Sequence, residues 1–252
     1  TNGDYQGAVN AFPHTIEKDP KYATAFIRRG LAFYHLGEYH KAIADYNQTL
    51  KLKRYQADAY YSRGDAYREL SDYQSAIEDY TASIKERWAA FVMWKRAEAY
   101  LEMGDAQRAR GDYTAVIQHN HGAAAYYHRG KAYVRLHGDD LALDDFDEGV
   151  KISPKFAEAY LSRGAIYNRL DQLGEAKSDY LKAIELSTSE IQLWEENHPA
   201  LGPIYHRRGI AYEHLGRLEE ASNDYEMVIV LKPGAEVERE AAIRLGVVAT
   251  NN

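Results

Sequence analysis

YYSRGDAYRELSDYQSAIEDYTASI, running from Tyr60 to Ile84, is the stretch that decides how this chain folds. Apolar positions recur in it at helical spacing on either side of a short polar turn. The same turn reads Leu36-Gly37-Glu38 in one copy and Leu215-Gly216-Arg217 in another. Two runs with a 3.6-residue period and a turn of a few residues between them predict a pair of antiparallel helices.

The segment recurs along the chain. Anchored on its small residue, the copies fall at Gly30, Gly64, Ala97, Gly130, Gly164 and Gly209, in steps of 34, 33, 33, 34 and 45 residues. Three residues after each anchor stands an aromatic: Phe33, Tyr67, Tyr100, Tyr133, Tyr167, Tyr212. Twelve after it stands alanine: Ala42, Ala76, Ala109, Ala142, Ala176, Ala221. Sixteen after it the residue is Tyr46, Tyr80, Tyr113, Phe146, Tyr180 or Tyr225. We read the small anchor as the place where the second helix comes close, with the alanine completing the contact and the aromatics filling the space around it. A lone helix pair cannot bury such a face, so the copies must stack.

This accounts for most of the 22 tyrosines. The rest of the composition mainly excludes. A formal charge of −7 argues against nucleic acid as partner. The absence of cysteine removes disulfides, thiolate metal sites and cysteine nucleophiles. No apolar run approaches the ~20 residues that cross a bilayer, so no membrane insertion is expected. Thr1–Gly7 lacks the charged start and apolar stretch of a signal peptide. The missing initiator methionine is what an excised or processed piece would show. Compartment stays open, with cytoplasm favoured slightly over periplasm.

The columns resemble the tetratricopeptide repeat family, whose pattern places an aromatic, Leu-Gly, Tyr, Ala, Phe and Pro over about 34 residues. Here the terminal proline survives at Pro20, Pro154 and Pro233, and arginine replaces the leucine before the glycine. The resemblance implies an all-α fold: an α-solenoid of antiparallel helix pairs wound into a right-handed superhelix. The expected organisation is a single array over 1–252 with thirteen or more helices. It has a half-repeat at 4–19, helix-pair repeats at 23–56, 57–89, 90–122, 123–156, 157–201 and 202–234, and a capping helix at 235–246. Pro13 should weaken or kink the first of these helices. An insertion covers about 187–202 and includes Asn197-His198-Pro199. NHPALGPIYHRRGIAYEHLG, which follows from it, is locally similar to the repeats of kinesin light chains.

Two charged columns accompany the repeat. Arg29, Arg63, Arg96, Arg129, Arg163 and Arg208 precede the anchors, and Asp45, Asp79, Asp112, Asp145, Asp179 and Asp224 precede the core aromatics. An arginine ladder gripping acidic ligands is one reading. Pairing of each arginine with the aspartate of its own repeat is the other, favoured because both columns are complete in every copy.

The family resemblance implies that first helices form a concave ligand wall. Positions three before, one after and four after the anchor share that face. They nominate Ile27, Leu31, Tyr34, Tyr61, Asp65, Arg68, Trp94, Glu98, Tyr127, Lys131, Leu161, Asn168 and His206 as partner-binding residues. The row before the anchor reads Ile, Tyr, Trp, Tyr, Leu, His, a plausible stripe of apolar anchors, with inter-repeat packing as the competing reading. Some relatives hold a terminal carboxylate with Lys and Asn. Ile27 and Leu31, or Tyr61 and Asp65, stand at those places, so no carboxylate ligand is expected. Nor does the column Arg28, Ser62, Lys95, His128, Ser162, Arg207 form the asparagine ladder of other relatives.

No zinc-protease, phosphate-loop or nucleophile-elbow motif occurs. Catalytic residues, metal ligands and cofactors are therefore not expected, and the chain is read as a non-enzyme. The function expected is that of a scaffold or adaptor. It would bind a protein or peptide segment in the concave groove, the ligand bearing an apolar anchor beside a basic residue. The alternatives are an RNA-binding helical repeat, the interaction module of a larger enzyme, and a self-associating assembly.

Overall fold

The computed structural model describes residues 4–53, 55–120, 122–196, 198–232 and 241, and among these there are thirteen α-helices and no strand. The chain forms two compact units, 1–121 and 122–252. The first holds α1 (Tyr5–Lys18), α2 (Ala23–His35), α3 (Tyr39–Lys51), α4 (Gln56–Glu69), α5 (Tyr73–Glu86), α6 (Ala90–Glu102) and α7 (Ala106–His119). The second holds α8 (Ala123–Arg135), α9 (Asp139–Ile152), α10 (Ala157–Arg169), α11 (Leu173–Ile191), α12 (Leu201–His214) and α13 (Leu218–Leu231). Within each unit every first helix packs on the second helix of its own repeat, and each second helix packs on the next first helix. This is an all-α solenoid of helix pairs.

The turn inside each pair is made the same way six times. The residue seven after the anchor takes a left-handed backbone, with φ of 75° at Gly37, 60° at Ser71, 79° at Gly104, 57° at His137, 60° at Asp171 and 71° at Gly216. Three of these are glycine, which adopts that region without strain. Second helices then start on a cap where the sequence offers one: Asp72 accepts from the Ser75 amide (3.1 Å) and Asp105 from that of Arg108 (3.0 Å). Each satisfies an amide that the helix leaves unpaired.

The core is the aromatic column. Tyr46, Tyr80, Tyr113 and Phe146 are wholly buried, with Tyr180 and Tyr225 nearly so, and the alanine column is buried beside them. What the anchor glycine makes room for is this aromatic. A methyl on Gly30 would sit 2.7 Å from Tyr46 Cε1, and one on Gly130 2.7 Å from Phe146 Cε1. At Gly64 the Ala76 carbonyl also lies 3.3 Å from that position, so ring and alanine close the contact together.

Helix α1 runs unbroken through Pro13. It carries Tyr5, Ala8 and Phe12 in the second-helix columns. The insertion appears as a lengthened α11, 19 residues long, followed by a loop in which Trp194 stacks on His198 (ring centroids 4.3 Å apart). The capping helix expected at 235–246 lies outside the described residues except for Ala241, which packs against the cluster of Ala221 and Tyr225.

Candidate functional site

The arginine column is internal. Each arginine makes a two-pronged contact with the aspartate sixteen residues on. In the second repeat Arg63 Nε donates to Asp79 Oδ2 (2.7 Å) and its Nη2 to Oδ1 (2.6 Å), and the same geometry holds for Arg29–Asp45, Arg96–Asp112, Arg129–Asp145, Arg163–Asp179 and Arg208–Asp224. All six aspartates are buried. The ladder reading is thereby set aside in favour of pairing. A third nitrogen reaches back to the preceding repeat: Arg96 Nη1 donates to Thr81 (2.9 Å), Arg163 Nη1 to Asp147 (2.6 Å), and Arg63 Nη1 to Asn47. Tyrosines lie beside the guanidinium, as Tyr60 and Tyr67 do for Arg63 at 5.6 and 5.9 Å. Guanidinium planes favour such aromatic neighbours. Burial pushes Asp79, Asp145 and Asp224 upward against the pull of their arginines.

The nominated row lies on the first helices but not clear of the core. Every member is half-buried. Tyr61 tilts against Tyr80 (6.2 Å) and meets Phe91 edge-on (5.1 Å); Trp94 meets Tyr113 edge-on (5.4 Å); Tyr127 touches Phe146 and Phe156. Leu161 packs on the cluster of Tyr180, and His206 lies 6.3 Å from Tyr225. Ile27 packs in the cluster of Tyr46. Each row residue thus packs on the core of its own repeat and stays partly exposed.

The polar flank is partly engaged. Glu98 accepts from Trp94 Nε1 (2.8 Å), Arg68 pairs with Glu69 (2.6 Å), and Asp65 Oδ1 accepts from the Tyr80 hydroxyl (2.6 Å). Lys131 Nζ lies over the Tyr127 ring at 5.6 Å. Leu31, Lys131 and Asn168 are exposed.

Four of the nominated residues come together. Leu31, Tyr34, Tyr61 and Asp65 line a cleft of about 210 Å³ between α2 and α4. The same cleft includes His35, Tyr46 and Ser62, which the sequence did not nominate. Tyr46, whose column fills the core, also lines this cleft although it is wholly buried. Tyr80 signals the same by bonding Asp65 and Tyr225 by bonding Glu213 (2.8 Å), both on the nominated face. In the second unit Arg207 was also missed: it is buried, takes Ser187 Oγ (3.0 Å), and pairs with Glu158 and Glu190. It ties the lengthened α11 to α10 and α12. Among the described residues no group of three or more His, Asp or Glu is placed to hold a metal, and no helix is long and apolar enough to cross a membrane.

Known proteins share the repeat and the fold. A TPR repeat pattern matches residues 30–71, one tetratricopeptide repeat pattern matches 57–87, 157–189 and 202–234, and another matches 95–155. The chain belongs to the tetratricopeptide repeat family. A tetratricopeptide repeat protein from Parabacteroides merdae is similar in structure (TM-score 0.73, 16% identity, 96% of this chain and 93% of that one). So is the C-terminal part of a TPR repeat-containing protein from Cytophaga hutchinsonii (0.67, 17%, 95% of each). The 41-end portion of MamA from Desulfovibrio magneticus aligns over 66% of this chain and 96% of that one (0.63, 20%). At these identities the likeness concerns the fold. No curated protein matches the chain in sequence.

Proposed function

We propose that this tetratricopeptide repeat chain is a protein-interaction scaffold that binds a peptide segment or partner helix on its first-helix face. In the first unit the contacts come from Ile27, Tyr61 and Trp94, with Leu31, Tyr34, Asp65, Arg68 and Glu98 around them. In the second they come from Tyr127, Leu161 and His206, with Lys131 and Asn168. The observation that carries the reading is the cleft of Leu31, Tyr34, Tyr61 and Asp65, where apolar walls meet one carboxylate. Apolar surface with a few convergent polar groups is the usual composition of a recognition site. The acidic Asp65, Glu69 and Glu98 favour a ligand with a basic residue beside its apolar anchor.

Trp94 should dominate in the first unit, because its ring already rests on Tyr113 and loses little freedom on binding. Truncating such an anchor costs roughly 2 kcal/mol or more, about a 30-fold loss of affinity. The test measures the affinity of a purified partner for Trp94→Ala and for Glu78→Ala, an exposed residue on α5. A loss confined to Trp94→Ala is expected. If the two folded variants bind alike, this face is not the site and the 187–202 insertion becomes the candidate.

A further inference from the structure

The cleft between α2 and α4 holds a buried hydroxyl with nothing to bond. Tyr46 is wholly buried, and its phenol oxygen has no hydrogen-bond partner. The Ser62 hydroxyl is the polar group nearest in effect, and it favours the ionised phenol. An orphaned buried hydroxyl is a cost that a packed core normally avoids. It is not needed for packing, since Phe146 fills the same slot in the fourth repeat without one. Elsewhere the column uses the group, at Tyr80 on Asp65 and at Tyr225 on Glu213. The Tyr180 hydroxyl is also unpartnered, but His214 lies flat on that ring (4.7 Å, 3°).

Around this hydroxyl the cleft is aromatic and negative. Burial pushes the phenols of Tyr34, Tyr46, Tyr61 and Tyr80 upward, and the Asp65 charge adds to the push on all four. The charged groups at this place are Asp65, Glu69 and Arg68, with His35 beside them. Arg68 is paired with Glu69 and also acts on Asp65, but it does not line the cleft itself. Asp65 accepts from the Tyr80 hydroxyl and has the Tyr61 hydroxyl beside it, and a carboxylate has sites for about four bonds. The walls are the rings of Tyr34 and Tyr61, and tyrosine faces attract cations.

We infer that this cleft is a subsite for the primary ammonium of a lysine side chain in the bound peptide. The ammonium has three donors and no acceptor. Tyr46 Oη, Ser62 Oγ and the Asp65 carboxylate offer three acceptors in one cleft, while Tyr34, Tyr61 and Leu31 cover the methylene stem. A quaternary ammonium could use the rings but none of the oxygens. A cleft of about 210 Å³ takes one long side chain and not a helix. The inference rests on the first-helix face being the ligand face and gives that face a chemical preference at one position.

The probe is Nα-acetyl-lysine methylamide, titrated into the full chain with labelled tyrosine rings and followed by NMR. Saturable shifts at Tyr34, Tyr46 and Tyr61 are expected. The norleucine derivative, of similar stem but without charge, should bind at least tenfold more weakly. Asp65→Asn keeps an acceptor for Tyr80 and should cut lysine binding at least tenfold. Tyr46→Phe should cut it severalfold while leaving the melting midpoint unchanged or raised. Equal binding of lysine and norleucine, unchanged binding to Asp65→Asn, shifts mapping elsewhere, or tighter binding of the trimethyl-lysine or arginine derivative each overturns the assignment. Partner binding that is sensitive to Trp94→Ala with no lysine response sinks the subsite alone. A lysine response with Trp94→Ala and Glu78→Ala binding the partner alike sinks the scaffold reading of this face.

Discussion

A methyl group added at the anchor glycines should destabilise in some repeats and not in others, and the geometry ranks them. At Gly130 the new carbon would lie 2.7 Å from Phe146 Cε1 and 3.0 Å from Cδ1. Phe146 is wholly buried and has nowhere to retreat, so helices α8 and α9 must part. Overpacking of this kind costs about 1–3 kcal/mol. Against it, alanine is favoured over glycine inside a helix by about 0.8–1.0 kcal/mol. Gly130→Ala should therefore lose up to about 2 kcal/mol net. At Gly164 the nearest atom is Tyr180 Cε1 at 3.1 Å, which asks only a few tenths of an ångström. There the two effects should nearly cancel. Gly111, exposed in the middle of α7, would meet nothing within 4 Å and should gain the full ~0.8–1.0 kcal/mol.

The third repeat supplies the reverse case. Ala97 stands at its anchor with Tyr113 wholly buried, so that repeat already houses the methyl. Ala97→Gly should lose about 1 kcal/mol in helix preference alone. Urea unfolding of the four variants measures this as a shift of midpoint at constant slope. If Gly130→Ala and Gly111→Ala shift the midpoint equally, or Gly130→Ala raises it, then close approach to the ring is not what the anchor glycine serves.

Three further outcomes follow from the charged and tyrosine columns. Arg63→Ala strands the buried Asp79 and should cost about 3–5 kcal/mol, whereas replacing both partners by apolar residues should be near neutral. A double-mutant cycle then shows coupling well beyond the ~0.2–1 kcal/mol of an exposed pair, and additive effects would contradict the pairing. Because burial pushes Asp79 up, the deficit of Arg63→Ala should shrink as pH falls and the stranded carboxyl takes a proton. In alkali, burial holds Tyr34 and Tyr180 up to about 12. The unfolded value is about 10, so the stability they confer is whole below pH ~10 and lost between about 10 and 12. Ionisation of the Tyr34 and Tyr180 rings, followed by NMR with labelled tyrosine, should coincide with loss of helical circular dichroism, and ionisation of these two near pH 10 with the helices intact would refute this. Arg207→Ala leaves Glu158 and Glu190 facing Ser187 without their cation. Protease cleavage within 187–202 should become faster while the first unit is unaffected, and an unchanged cleavage rate would show that Arg207 does not hold the insertion.

The repeat was legible because identity recurs at fixed spacing, and identity recurs where packing allows a single shape. Gly, Ala, Arg, Asp and the aromatic all meet that condition. The columns say which positions depend on one another, not which atoms touch, and so they do not show that the ring is the glycine's nearest neighbour. Asn47, Thr81 and Asp147 escaped notice for a related reason. All three accept a bond from the next repeat's arginine, but an oxygen is all the contact requires, so residue type wanders. Aligning by acceptor would have revealed them. Depth was the other thing missing. Spacing put Ile27, Tyr61 and Trp94 on one face, yet it could not tell that each would be half sunk against the core. Arg207 was hidden because the lengthened α11 brings Glu190 and Ser187 alongside it from outside the 34-residue register.

These two kinds of position divide the work of the molecule. The buried ring stays Tyr or Phe in all six repeats, while the residue resting on it changes from Ile27 to Tyr61, Trp94, Tyr127, Leu161 and His206. Glycine and alanine, packed against the same ring, hardly change from repeat to repeat. The row varies in size, polarity and hydrogen-bonding capacity above a floor that does not vary. Such variation is what the proposed ligand face requires. The Arg–Asp pairs make this separation workable, since they fix each helix pair through bidentate geometry on residues outside the row. The fold is thus held by columns a ligand need not touch, and the row is left to differ from repeat to repeat.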